Sequence, residues 1–180
     1  MRKIAALILA SAAGALAGVA SANSSDTLVS SAPWWEKITV TMSADGSPES
    51  CRYETSLKPA AAEDCDVDSG KAAMVKAADS KGEVTRITFE RRFTPGSAPK
   101  EAALQPGDTL LGGQVMALAI GSRGEVKDCR IVAQSGAVRP DYSCDDAAAE
   151  RFQASVGGAK SPERDGYMTI LVYGHSEHMV

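Results

Sequence analysis

Two segments of this chain place a glycine, a cysteine and an arginine at the same offsets. The segments are "GSPESCRYETSLK" and, about eighty positions later, "GEVKDCRIVAQSG". In each, a turn signal precedes a stretch of alternating residues, so that the cysteine falls in the middle of a predicted strand. The repeated pattern predicts a duplicated structural unit, the alternative being two hairpins that merely look alike. The shared positions are Gly46, Cys51 and Arg52 in the first segment and Gly124, Cys129 and Arg130 in the second.

The N-terminus has the composition of a secretory signal peptide. Met1-Arg2-Lys3 is followed by an apolar run over residues 4–20 and by the small-residue cleavage site Ala20-Ser21-Ala22. The run is mostly alanine and glycine and is shorter than the roughly 20 strongly apolar residues of a membrane span. We therefore predict cleavage after Ala22 and export to the periplasm, rather than retention by an anchor.

The charge balance argues against nucleic acid as a partner. The sequence contains 19 basic and 23 acidic residues, and removal of Arg2 and Lys3 with the signal peptide lowers the net charge from −4 to about −6. A chain of this sign is not attracted to phosphate backbones or to anionic membrane surfaces. Its length and its 44% apolar composition are enough for one ordinary domain or two small ones.

Export brings the four cysteines into an oxidising compartment, where thiols pair. Three connectivities exist, and the spacing favours two local disulfides, because 14 positions separate Cys51 from Cys65 and 15 separate Cys129 from Cys144. Each pair also occupies an equivalent part of one segment. We predict Cys51–Cys65 and Cys129–Cys144, and no metal site, since the sequence has neither C-x2-C nor a Cys/His cluster.

Both segments lie within the same predicted order of elements: strand, strand, helix, strand. The first unit has strands at 38–42, 49–55 and 83–93, with a weakly periodic helix candidate between residues 68 and 82. The second has strands at 115–120, 126–133 and 167–173. Its helix is predicted to begin at Cys144 and to end at Gly157-Gly158, with a face formed by Cys144, Ala148, Phe152 and Val156.

The predicted fold class is therefore α+β, with two repeated β-β-α-β units, each a small antiparallel sheet with one helix and one disulfide. The predicted divisions are a signal peptide at 1–22, a first unit at 23–93, a linker at 94–113, a second unit at 114–174 and a tail at 175–180. The linker prediction depends on its proline, glycine and serine content.

The stretches "GGQVMALAIGSRGEVKDCRIVAQSG", "CDDAAAERFQ" and "YMTILVYG" together resemble the C-terminal domain of the energy transducer TonB. The resemblance covers roughly residues 113 to 174, with a fainter copy over 36 to 93. It implies a periplasmic domain that adds an extended peptide of an outer-membrane receptor to a sheet edge, a mode that draws affinity from main-chain hydrogen bonds. The chain lacks a proline-rich spacer and the usual Tyr-Pro, and without a retained anchor it could not transmit force from the inner membrane.

Carried over to this chain, the resemblance places the partner-binding edges on the last strand of each unit. The implied function is a non-enzymatic binding module for an envelope protein, linked to TonB-dependent transport, without cofactor or small-molecule substrate. A structural scaffold, in which the two units pair edge to edge, is the alternative. The residues implicated in partner binding are Met168, Ile170 and Val172 in the second unit and Ile87, Phe89 and Arg91 in the first.

Other candidate residues have competing interpretations. His175 and His178, the only histidines, would serve a hydrolase or a metal enzyme, but their position favours a solvated tail and no catalytic residue is assigned. Trp34-Trp35 could anchor a partner, although we expect them to cap an open end of the sheet. Arg91-Arg92 would either contact acidic groups of a partner or block unwanted strand pairing.

Overall fold

The computed structural model describes residues 27–58, 62–65, 84–100, 104–157 and 160–176. Within these residues the chain forms seven β-strands and one short α-helix. The elements are β1 (Trp34–Met42), β2 (Pro48–Thr55), β3 (Ala62–Asp64), β4 (Arg86–Pro95), β5 (Asp108–Ile120), β6 (Val126–Gly136), α1 (Cys144–Ala149) and β7 (Arg164–His175).

Each repeated segment begins at a tight turn between two antiparallel strands. The glycines of the two turns, Gly46 and Gly124, have φ angles of 80° and 85°, in the left-handed region that favours glycine. In the first turn the Asp45 carboxylate accepts hydrogen bonds from the Ser43 and Ser47 hydroxyls at 2.5 and 2.6 Å. These bonds lower the pKa of Asp45 to about 2. The turn sequences therefore fix both hairpins locally.

The strands form one antiparallel sheet in the order β3-β2-β1-β4-β7-β5-β6. The first half of the chain contributes β1 to β4, and the second half contributes β5 to β7. In each half the last strand pairs with the first strand of its own half and, on its other side, with the last strand of the other half. The two halves therefore join in the middle of the sheet through β4 and β7.

The register relates the two halves by a pseudo-twofold axis. Strand β1 lies between the cysteine-bearing strand β2 and the last strand of its half, β4, and β5 lies in the same way between β6 and β7. The residue of β7 that corresponds to Arg91 of β4 is Ile170, and these two residues lie opposite each other, so the axis passes between them. The equivalent sets are Val40 with Cys51 and Ile87, and Leu118 with Cys129 and Gly166.

The predicted α+β class with two separate β-β-α-β units is wrong, because the structure is one continuous sheet with one short helix in its described part. Helix α1 begins as predicted at Cys144, where Ser143 and Asp146 form a capping box. It ends after six residues, since Glu150 is already extended. Phe152 then forms a bridge with Leu28 instead of continuing the helical face, and Val156 is fully exposed.

Other predicted boundaries also shift. The helix candidate between residues 68 and 82 lies outside the described residues. Both ends of the predicted linker, 94–113, belong to strands, because β4 continues to Pro95 and β5 begins at Asp108. His175, assigned to the tail, is the last residue of β7.

The main core covers one face of the sheet and is built by both halves. Trp34 stacks on Phe93 with ring centroids 5.8 Å apart, and Phe93 contacts Phe152 at 5.2 Å. Helix α1 adds Ala147, and the segment before β1 adds Leu28. We call this side of the sheet the covered face and the other side the open face. The buried members of the core are Leu28, Trp34, Phe93, Met116, Leu118, Ile120, Ala147, Phe152, Met168 and Ile170.

Both predicted disulfides are confirmed. Cys51 on β2 pairs with Cys65, directly after β3, and Cys129 on β6 pairs with Cys144 at the start of α1. The second disulfide thus ties the first turn of the helix to the covered face. Disulfides of this kind indicate an oxidising location, extracellular or periplasmic.

Candidate functional site

The two strands predicted to be free edges, β4 and β7, lie at the centre of the sheet and pair with each other over Arg86–Pro95 and Gly166–His175. That edge assignment is wrong, because each strand also has a neighbour from its own half. The predicted partner-binding residues are therefore brought together, but inside the molecule. Ile87, Met168, Ile170 and Val172 are buried, whereas Phe89 and Arg91 are partly buried.

Arg91 belongs to an ion cluster on the covered face instead of facing a partner. Its Nε donates to Glu36 Oε2 at 2.9 Å, and Nη1 contacts the Glu150 carboxylate. The guanidinium also lies 5.3 Å from the ring of Trp34 and 5.5 Å from that of Tyr142. Burial alone would lower the pKa of Arg91, but Glu150 and Glu36 outweigh it and raise the pKa above its ordinary value. The cluster joins β1, β4 and the end of α1.

The tryptophan pair divides between the core and the surface. Trp34 is 4% exposed and donates its indole Nε1–H to the carbonyl of Val29 at 2.7 Å. Trp35 lies on the open face, where Lys37 Nζ sits 5.0 Å from its ring centroid. Trp34 thus helps to build the core rather than an interface.

His175 has a specific partner. Its Nδ1 lies 2.8 Å from Asp108 Oδ1, across the pair of residues that ends β7 and begins β5. His178, the other histidine considered for a metal site, lies outside the described residues. Among the described residues no group of three His, Cys, Asp or Glu side chains could hold a metal ion. All four cysteines are in disulfides, so no thiol is available as a nucleophile.

The long free edge of the sheet is β6. Among the described strands it pairs only with β5, and most of its residues are exposed. Ile131 and Val132 are 47% and 46% exposed, which is unusual for large apolar side chains within the described sheet. At the start of the edge a bridge between Glu125 and Arg151 covers the backbone, so the edge opens from Val126 onward.

Two irregularities divide the β6 ladder. The register with β5 shifts between Val115 and Met116 and again between Ala119 and Ile120, so that Val132 and Lys127 are extra residues on β6. Two short regular stretches remain, Asp128–Ile131 and Ala133–Gly136. Bulges and charges at an edge hinder indiscriminate strand pairing.

The sequence contains a signal that indicates this edge. A strand with one buried face should alternate, but "VKDCRIVAQSG" carries charged residues beside Cys129 and an uninterrupted apolar pair after Arg130. The hairpin pattern predicts a return strand but not its place in the sheet, because it describes only the pairing with β5.

Comparison with protein-family models, with curated proteins and with solved structures finds no match for this chain. No helix within the described residues is both long and apolar enough to cross a bilayer.

Proposed function

We propose that this protein is a non-enzymatic binding module of the cell envelope that takes up an extended segment of an envelope protein as an added strand at β6. The observation that carries the proposal is the outer edge of β6, on which the described residues place no further strand, with Ile131 and Val132 exposed beside it. At its far end the Gly136 carbonyl already accepts a hydrogen bond from Arg139 Nη1 at 2.8 Å. Strand addition needs an edge with free backbone groups and side-chain contacts next to it, and β6 offers both.

The compartment supports a partner in the envelope. Two disulfides fit an oxidising location, and the predicted signal peptide at 1–22 would direct the chain to the periplasm. The resemblance to the TonB C-terminal domain suggests an outer-membrane receptor and TonB-dependent transport as the context. In this chain, however, β4 occupies the position beside β7 where the resemblance would place the partner strand. Capture is therefore proposed at the opposite side of the second half.

The bulges on β6 limit how a partner can bind. An added strand can follow the regular stretches Asp128–Ile131 and Ala133–Gly136, but not a long uninterrupted ladder. A short ladder supplies few main-chain hydrogen bonds, so selectivity must come from side chains that contact Ile131 and Val132. We expect a reversible interaction with one kind of segment.

The test is capture of outer-membrane and periplasmic proteins by the immobilised protein, combined with amide hydrogen exchange of β6. A bound strand should slow exchange within Ala133–Gly136. Val132→Lys should abolish both capture and protection, because a charge at this exposed position opposes strand addition. Val156→Lys is the matched control, since Val156 is fully exposed but lies outside the sheet. A partner that binds the Val132→Lys protein equally well, or leaves β6 exchange unchanged, would contradict the proposal.

A second candidate function is a structural scaffold in which the two halves pair edge to edge, so that the backbone groups of β4 and β7 bond to each other and not to a partner protein. The pairing of β4 with β7 over ten residue pairs specifically favours it. The scaffold requires slow amide exchange throughout residues 87–93 and 168–173 and no protein partner at β6. Fast exchange in these two strands would exclude it.

A further inference from the structure

The open face differs between the two halves of the sheet. Strand β1 of the first half places large or polar side chains on this face, whereas the corresponding strand of the second half, β5, places small side chains there. Thr39 and Thr88 also contact each other here, with hydroxyls 3.3 Å apart. The counterparts are Trp35, Lys37, Thr39 and Thr41 on β1 and Gly113, Val115, Ala117 and Ala119 on β5.

A cavity of about 540 Å³ lies over the small residues of the second half. The segment 96–100, after β4, forms its wall, and a smaller cavity of about 290 Å³ continues it towards β4. We call the two cavities together the open-face trough. Its combined size is in the range of about 300–1,000 Å³ that is usual for small-molecule sites. Its apolar lining comprises Pro99, Leu110, Val115, Ala133 and Leu171.

Thr169 stands where the two cavities meet and is 8% exposed. Its Oγ1 is buried and has no hydrogen-bond partner within the described part of the chain. Buried hydroxyls nearly always have a partner, and one without a partner lowers stability. A ligand that accepts a hydrogen bond from Thr169 would remove this cost.

One end of the trough is positively charged. Arg92 and Lys100 line it, and Lys37 lies nearby on β1. Glu90 pairs with two of these cations, and its carboxylate lies 2.5 Å from Arg92 Nε and 4.0 Å from Lys37 Nζ. Lys100 has no carboxylate within ion-pair distance among the described residues. This excess of cations stands on a chain whose net charge is −4, which favours an anionic ligand at this point.

We propose that the open-face trough binds a small amphiphilic carboxylate, a ligand with a short aliphatic chain and one carboxylate group. The aliphatic chain lies on Leu110, Val115 and Leu171. The carboxylate accepts a hydrogen bond from Thr169 and is held by Lys100 and Arg92. The proposal does not depend on strand capture at β6, because its ligand contacts are Thr169, Lys100 and Arg92, although the wall of the trough includes Ala133 of β6.

The test is titration of the whole mature protein with octanoate, followed by backbone amide NMR, with 1-octanol as the uncharged probe. We expect saturable shifts at Thr169, Leu171 and Ala133, and binding of 1-octanol at least tenfold weaker than that of octanoate. The absence of saturable shifts at these residues, or equal affinity for the two probes, would overturn the proposal.

Three variants separate the ligand contacts from folding. Thr169→Val keeps the shape of the side chain and removes the hydroxyl, so its Tm should be unchanged or higher while octanoate binds about tenfold more weakly. Lys100→Gln should weaken octanoate and leave 1-octanol unchanged. Lys160→Gln, an equal change of charge at an exposed site outside the trough, should have no effect. Octanoate binding that Lys100→Gln and Thr169→Val both leave unchanged would refute the assigned contacts. The two proposals share Ala133 as a reporter, so the variants tell them apart. Val132→Lys should abolish protein capture and leave octanoate binding unchanged, whereas Lys100→Gln should weaken octanoate binding and leave protein capture unchanged.

Discussion

The two halves of the sheet agree at their outer hairpins and differ where they meet. Cys51 and Cys129 occupy equivalent positions, and each forms a disulfide within its own half. At the centre, however, Arg91 of β4 has Ile170 as its counterpart in β7. Each hairpin is fixed by a glycine turn and by a disulfide to a cysteine 14 or 15 positions later, so equivalent residues have similar surroundings in the two halves. A residue of β4 or β7 contacts the other half instead, so its counterpart has different surroundings.

The same divergence appears around Trp34. Its counterpart in β5 is Gly112, where a Cβ atom would overlap the carbonyl of Val138. The first half thus fills the covered face with an indole, and the second half fills the equivalent space with backbone. Residues of both halves therefore form the main core.

The most severe way to break the comparison is to separate the halves. A fragment of residues 104–180 keeps β5, β6, α1 and β7 but loses Leu28, Trp34 and Phe93 from the main core. It also exposes the edge of β7 that β4 covers. We expect it not to fold alone, which the loss of amide dispersion in NMR spectra would show. A cooperative urea transition of the fragment would contradict this and restore the two-unit description.

Replacement of Arg91 by methionine should have the next largest effect. The substitution leaves Glu36 and Glu150 as partly buried carboxylates without their cation. Loss of one partner of a fully buried pair costs about 3–5 kcal/mol of unfolding free energy, which is the upper limit expected here. Urea denaturation measures it. Arg52→Met is the control, because Arg52 is exposed and its ion pair with Glu54 is a surface pair.

The triple variant with Glu36→Gln and Glu150→Gln in addition sharpens this prediction. Amides carry no charge, so they should recover a substantial part of the stability lost in the Arg91→Met protein. If Arg91→Met costs no more than Arg52→Met, the ion cluster does not hold the halves together.

The local part of the fold could be predicted from the sequence. The turn at Asp45-Gly46, the strands of both hairpins, the start of α1 and the two disulfides follow from turn residues, alternation and cysteine spacing. These features depend on contacts within about 15 residues, where sequence patterns carry most information.

The joining of the halves could not be predicted in the same way. Alternation in "RITFERRFTP" and "YMTILVY" indicates strands but not their neighbours. The four-residue apolar spacing from Cys144 to Val156 predicts a longer helix. In the structure Phe152 instead packs on Phe93 and forms a bridge with Leu28, contacts that the spacing does not indicate. Strand neighbours depend on contacts between the halves, which is why the resemblance to a single domain places the free edges on the wrong strands, β4 and β7.

The turn glycines offer a smaller and direct comparison. Gly46→Ala meets no atom within 4 Å and should cost about 1 kcal/mol, from its positive φ alone. In Gly124→Ala the new Cβ would also overlap the Phe152 carbonyl, and overpacking adds about 1–3 kcal/mol. Urea denaturation of both variants measures the difference. Equal losses of unfolding free energy would mean that the backbone at Phe152 moves aside at no cost and does not hold the second hairpin in place.

Two tyrosines give the smallest effect, and they test the polar contacts of the two faces separately. Burial and the hydrogen bond to Glu36 raise the pKa of Tyr53 to about 12, and burial and Glu90 raise the pKa of Tyr173 to about 12. Both phenols have an ordinary pKa of 10.0, so their contribution to stability is complete below pH 10 and disappears as the pH rises through 12. The sequence has four tyrosines, so tyrosinate absorbance is titrated in this protein and in its Tyr53→Phe and Tyr173→Phe variants, and the differences give the pKa of each. Glu36→Gln should lower the pKa of Tyr53 but not that of Tyr173, and Glu90→Gln should do the reverse. If either substitution moved both tyrosines equally, the covered-face cluster around Arg91 and the open-face cluster around Arg92 would not be independent, and the contrast between the two faces would have to be abandoned.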